Sequence, residues 1–152
     1  MDIEIFIDKI IKICSEHKNS MILYNIIKNL LNKIDTDIFL QKIKDYNFVD
    51  IIYKNYLYIK YIVYSSSICD IVLIQWNKNA FTQIHDHPKR GCIVKVLSGK
   101  LLEECYKYEN DNLDLVKINY LSINDIGYKI SNYILHKIKC IDDAYTIHIY
   151  IY

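Results

Sequence analysis

The sequence predicts a mainly β domain, closed as a barrel or sandwich, behind three N-terminal helices. Two observations predict it. Apolar residues recur at helical spacing up to about residue 50, and from about residue 51 the texture changes to short runs of Ile, Val and Tyr separated by turn residues. The length sets the scale: 152 residues, 52 % hydrophobic and 24 % charged, make one domain with a core of real size. The expected organisation is a helical part over 1–50 packed on a barrel over 51–152, with no internal repeat, low-complexity segment or linker.

Each element has its own signal. Ile3, Phe6, Ile7, Ile10, Ile11 and Cys14 line one helical face, with Glu4, Asp8, Lys9 and Lys12 on the other. After a break at Lys18-Asn19-Ser20 the pattern returns with Leu23, Ile26, Ile27, Leu30, Leu31 and Ile34. Thr36, between Asp35 and Asp37, is expected to cap a third, shorter helix. Strands are expected over 56–64, 71–76, 82–87, 93–97, 100–108, 116–121, 127–130, 134–138 and 145–150. Turns between them are expected at places such as Asn77-Lys78-Asn79, Ser98-Gly99, Asn124-Asp125 and Asp142-Asp143.

Composition excludes several classes of function. A formal charge of +1 gives no electrostatic reason to expect nucleic acid or an anionic membrane as partner. No apolar run approaches the ~18–20 residues a bilayer span needs. The five cysteines are odd in number and contain no Cys-x-x-Cys pair, which argues against a disulfide framework or zinc ribbon. The start, Met1-Asp2-Ile3-Glu4, is acidic, unlike a signal peptide. A reducing, cytoplasmic setting is the expectation. The fifteen tyrosines read as codon bias within a β-friendly residue type.

The histidines point to chemistry. In Ile84-His85-Asp86-His87, extended backbone turns residues two apart to one face, so His85 and His87 present two imidazoles toward one point. Alternation sets His136 opposite Leu135. In the last run Thr146, His148 and Tyr150 share one face while Ile147 and Ile149 share the other. A lone strand histidine is by default a surface or hydrogen-bonded core residue, but neutral imidazole is also the commonest ligand for a transition metal. Three such histidines outweigh the default. Asp86 and Arg90 read as solvated turn charges, Cys14, Cys69 and Cys105 as structural, and Lys95 as snorkelling outward from a strand.

The ordered set of motifs resembles a known family. His-x-His, four residues, Cys92, six residues and Gly99 is similar to the first cupin motif with its usual Glu replaced by Cys. His136 after Asp125-Ile126-Gly127 is similar to the second. Cys at that place, Val-Leu-Ser-Gly-Lys-Leu-x-Glu around Gly99 and the terminal His148-Ile149-Tyr150 resemble the type I cysteine dioxygenases, over about residues 50 to 150 in order.

The resemblance implies a cupin barrel, a double-stranded β-helix, with Fe(II) held by His85, His87 and His136. Two open positions would take the thiolate and amine of a small thiol substrate, and a third O2. It implies a thioether between Cys92 and Tyr150, the Tyr150 hydroxyl beside the oxygen position, and His148 and Thr146 ordering that hydroxyl. Tyr58, Ile74 and Trp76 match the substrate pocket. The partners implied are a small thiol and O2, in a monomer that meets neither nucleic acid nor membrane. Two departures stand out. Lys60 stands where the family uses Arg for the substrate carboxylate, keeping the charge but losing the planar fork, and Cys140 stands where the family tends to have Asn.

The leading reading is therefore oxidation of L-cysteine to cysteine sulfinate. The alternatives are another small thiol such as 3-mercaptopropionate, and a cupin that binds metal without oxygenase turnover. A zinc hydrolase is disfavoured, since alternation points Asp86, the one nearby general base, away from the histidines.

Overall fold

Three helices form where the apolar period places them, and each begins on a side-chain cap. The computed structural model describes residues 1–46, 49–53, 56–130 and 134–152. The helices are α1 (Ile3–Glu16), α2 (Ser20–Asn32) and α3 (Thr36–Lys44). The Asn19 side chain accepts from the Met21 and Ile22 N–H groups at 3.0 and 3.1 Å, and Asp35 accepts from Ile38 N–H at 3.0 Å. Asp35, not Thr36, is thus the cap of α3. Thr36 is already helical, and its hydroxyl donates to Asn124 at 2.5 Å.

The strands are β1 (Val49–Tyr53), β2 (Tyr58–Ser65), β3 (Cys69–Trp76), β4 (Cys92–Glu109), β5 (Asn112–Ser122), β6 (Ile126–Lys129) and β7 (Ile134–Ile151). They form one antiparallel sheet in the order β1-β2-β3-β7-β4-β5, with β6 paired to the start of β4. The helical reading to about residue 50 therefore runs too far: α3 ends at Lys44 and a strand begins at Val49, with 47 and 48 outside the described residues.

Two expected turns are not turns. The runs 93–97 and 100–108 are one strand, β4, and the runs 134–138 and 145–150 are one strand, β7. Ser98-Gly99 and Asp142-Asp143 meet across the sheet, where the pairing of β4 with β7 shifts register. Gly99 has φ +77°, and a Cβ there would collide with the Asp143 carbonyl and Ala144, so only glycine fits. The 82–87 strand does not form either. That segment touches β7 only through the isolated pairs Phe81↔Lys139 and His85↔His136. Between them the Thr82 hydroxyl, in place of a backbone carbonyl, accepts from Ile138 N–H at 3.0 Å and interrupts the ladder.

Alternation divides the sheet into two buried faces. One face packs on the helices: Ile71, Leu73, Ile93, Leu97, Ile147 and Ile149 join Phe6, Ile10, Leu23, Ile27 and Phe39 in one core. The other is the interior, where Val72, Ile74, Trp76, Val96, Leu101, Ile138 and Ala144 cluster. Burying both faces corrects two expectations. Lys95 does point away from Val94 and Val96, but that side is covered. It is 2 % exposed, and its Nζ donates to the Leu31 carbonyl at 2.8 Å and the Ile34 carbonyl at 3.5 Å, at and just past the end of α2. Arg90 is not a solvated turn charge. Its guanidinium ties the carbonyls of Cys14 (3.1 Å) and His17 (2.7 Å), at the end of α1, to that of Tyr152 (2.9 Å).

Candidate metal centre and its cavity

His85 and His136 are joined by backbone before any side chain is considered. The N–H of each donates to the carbonyl of the other at 3.0 Å, which fixes two imidazoles side by side. His87, two residues on, brings its ring to 4.2 Å from that of His136 and 5.3 Å from that of His85. One ligand atom from each of the three lies within 4.8 Å of the others.

The hydrogen bonds decide which nitrogens carry protons. His85 Nδ1 lies 2.8 Å from the Gln83 carbonyl, which can only accept, so Nδ1 holds the ring proton. His136 Nδ1 lies 2.8 Å from Glu103 Oε1. Burial pushes the Glu103 carboxyl upward, but hydrogen bonds from His136 and Asn119 and the Lys129 charge outweigh it and hold it down to about 2. An ionised carboxylate accepts, so His136 Nδ1 also holds its proton. The two Nε2 atoms, turned away from these acceptors, then face each other at 3.0 Å.

A cation joins two ring nitrogens at that distance: a proton shared between them or a metal ion. Ligand nitrogens about 2.1 Å from one ion and at right angles to each other stand about 3.0 Å apart. His87 adds a second indication: among the described residues its Nδ1 is the one buried side-chain N or O without a hydrogen-bond partner. Burial first, then the charges of His136 and His85, push His87 down to about 3, and burial lowers His85 too. Neutral imidazole is the form a metal ion needs, and burial favours it for His85 and His87. The three residues fit one.

The histidines sit in the wall of a cavity of about 520 Å³. Tyr58, Lys60, Ile74, Trp76, His148 and Tyr150 line it as well. Lys60 is half-buried, and that burial lowers its ammonium from the usual range, an effect the nearby Cys92 opposes. On β7, Thr146 Oγ1 accepts from the Trp76 indole N–H at 2.8 Å and lies 2.9 Å from His148 Nε2. The hydroxyl, with one proton and a second lone pair, can meet either tautomer of His148, whose Nδ1 lies 3.9 Å from Cys92 Sγ. Burial first, and the Lys60 charge second, hold His148 well below the usual histidine range. It meets Tyr150 by ring stacking, centroids 5.8 Å apart. Cys92 is fully buried and pairs directly with Tyr150 across β4 and β7; burial raises its thiol.

The profile of cysteine dioxygenase type I matches residues 22–152. The chain belongs to that family. Among solved structures this family member is similar to KdgF from Halomonas sp., at 17 % identity over 71 % of this chain and 89 % of that one, with TM-score 0.53. It is also similar to an RmlC-like cupin from Shewanella frigidimarina, at 18 % identity over 71 % and 85 %, TM-score 0.52. An oxalate decarboxylase variant from Bacillus subtilis matches at 15 % identity over 69 % and 27 %, TM-score 0.56. At such identities the likeness shows the cupin fold alone. The family and the three-histidine group together support thiol dioxygenase chemistry.

Beyond the residues singled out from the sequence, the site includes Glu103, with Asn119 and Lys129 behind it. Asn119 Nδ2 donates to Glu103 Oε2 at 2.7 Å and Lys129 Nζ lies 3.1 Å from the same oxygen. Only its place in the motif after Gly99 marked this glutamate; strand alternation counted from Cys92 puts it on the wrong face. Among the described residues no helix is long and apolar enough to cross a membrane.

Proposed function

We propose that the protein is an iron-dependent thiol dioxygenase that converts L-cysteine to cysteine sulfinate, RSH + O2 → RSO2H. The carrying observation is the three-histidine group, with the Nε2 atoms of His85 and His136 3.0 Å apart, in the wall of a cavity that also holds Lys60. Iron(II) on His85, His87 and His136 would supply the electron exchange that lets O2 react with a thiolate. Three neutral imidazoles bring no negative charge of their own, so the site favours a thiolate arriving as an anion.

The chain's other residues have separate tasks. Lys60 meets the substrate carboxylate as a point charge, without the two-pronged grip of an arginine. Tyr58, Ile74 and Trp76 wall the cavity and exclude water from the reacting sulfur. The Trp76–Thr146–His148 chain fixes the His148 ring, which stacks on Tyr150 and sets the plane of the phenol whose hydroxyl serves the oxygen position. Cys92 and Tyr150 are cross-strand partners, and such pairs hold their Cβ atoms about 4.5–5.5 Å apart. A carbon–sulfur bond between them forms with loss of the thiol hydrogen and one ring hydrogen, O2 accepting both electrons and both protons. A monomer in the cytoplasm belongs to the same reading, in which the five free cysteines stay reduced.

A second substrate keeps a place because of Lys60. A single ammonium tolerates a carboxylate at a different angle, so 3-mercaptopropionate is the next thiol to try. Oxygen uptake by the iron-loaded protein across cysteine, 3-mercaptopropionate and cysteamine tests both. The expected result is one O2 consumed per sulfinate formed, fastest with cysteine. Stable iron binding with no uptake on any thiol would leave a metal-binding cupin and end the oxygenase reading.

A further inference from the structure

Behind the histidines lies a second, smaller cavity of about 40 Å³, lined almost wholly by carbon. Trp76, His136, Ile138 and His148 line both cavities, so one layer of side chains separates them. The far wall is Leu101, Leu121 and Gly127. Gly127 on β6 pairs with Val94 on β4 and shares the inward parity of Lys129. A Cβ built on it meets nothing within 4 Å, and its φ is not in the left-handed region, so neither a close contact nor a turn requires glycine here. The missing side chain leaves the space.

Water is a poor occupant. It needs two to four polar partners, and Glu103 and Lys129, which border the cavity, already bond to each other, with His136 and Asn119 on the same carboxylate. A thiol amino acid is too large and too polar. An apolar diatomic fits on both counts. We propose that this cavity is a holding site for molecular oxygen, which reaches the reacting sulfur from behind His136 once the thiol fills the front cavity. The proposal rests on the dioxygenase reading above for its purpose, not for its geometry.

The test begins with metal-free protein, so that it does not depend on turnover. Under oxygen pressure, the methyl groups of Leu101 and Ile138 should show stronger paramagnetic relaxation than buried methyls of the helix-facing core, such as Leu23 and Ile27. Xenon-pressurised crystals should show a peak among the same side chains. Relaxation no greater than in the helix-facing core, or no xenon peak, overturns the site whatever the activity.

Gly127→Val should abolish both signals and, in iron-loaded protein, raise the KM for O2 several-fold while leaving metal content and the thiol KM as they were. Leu121→Phe fills the same space from β5 and replaces that variant if it misfolds. An unchanged KM for O2 in a folded, xenon-free variant overturns the functional half. Absence of thiol oxidation in the parent protein defeats the dioxygenase reading, and leaves the relaxation experiment to decide the cavity.

Discussion

Lys95 and Lys60 lie on opposite faces of one curved sheet, and burial lowers both ammonium groups. Their surroundings differ. Lys95 is met by carbonyls at the end of α2, where a cation also answers the helix dipole. Lys60 lines a cavity large enough for a substrate. Burial alone does not separate the structural charge from the chemical one; what faces the charge does. The outer face meets helix ends that need a cation, and the inner face meets space that a ligand can fill.

The comparison can be broken most decisively at the metal ligands. His87→Ala and His136→Ala should each lose bound iron while the far-UV spectrum stays that of the parent, because the helix-facing core is built from other residues. Full iron occupancy in both variants, measured by metal analysis, would remove the inner face's claim to chemistry.

Glu103→Gln comes next. It keeps the shape and loses the charge that fixes the His136 proton, and should weaken metal affinity about 10–100-fold in a competition titration. Equal affinity would make Glu103 a packing residue.

A crossed pair of lysine variants then sharpens the contrast. Lys95→Met removes the ammonium that donates to the Leu31 and Ile34 carbonyls and should cost about 1–3 kcal/mol in denaturant unfolding, with the KM for cysteine unchanged. Lys60→Met should raise the KM for cysteine sharply and spare cysteamine, which has no carboxylate. If the two variants behave alike in both assays, the two faces are not functionally distinct. The smallest effect is expected from Cys92→Ala. Intact-mass spectrometry of active parent protein should show a fraction two hydrogens lighter, and the variant should lack it while keeping reduced activity.

How much the sequence revealed follows the same division. The helices were legible because a 3.6-residue period survives any later packing. The three histidines were legible from spacing, although the reason offered for His85 and His87, a strand, is not the one found: two backbone bonds to His136 place His85, and His87 follows two residues on. Alternation gave the facing of Lys95 correctly but could not say what covers that side. Arg90 looked like a loop charge because its acceptors, Cys14, His17 and Tyr152, lie far away in the chain. Glu103 was hidden in a Glu-Glu pair whose inward member depends on a register shift that no local pattern announces.

That shift governs the reading frame of the barrel. Val96 pairs with Thr146 but Leu101 with Cys140, one residue fewer along β4 than along β7. Even-numbered residues of β4 point inward before Ser98-Gly99, and odd-numbered ones after it. Cys92 and Glu103 therefore belong to opposite phases of one strand and reach the same interior only because the frame slips between them. Abolishing the slip with the number of residues unchanged would act as a frameshift in three dimensions. The Cys92 half would stay in phase, while Glu103 and Cys105 would turn to the outer surface and leave His136 without its carboxylate.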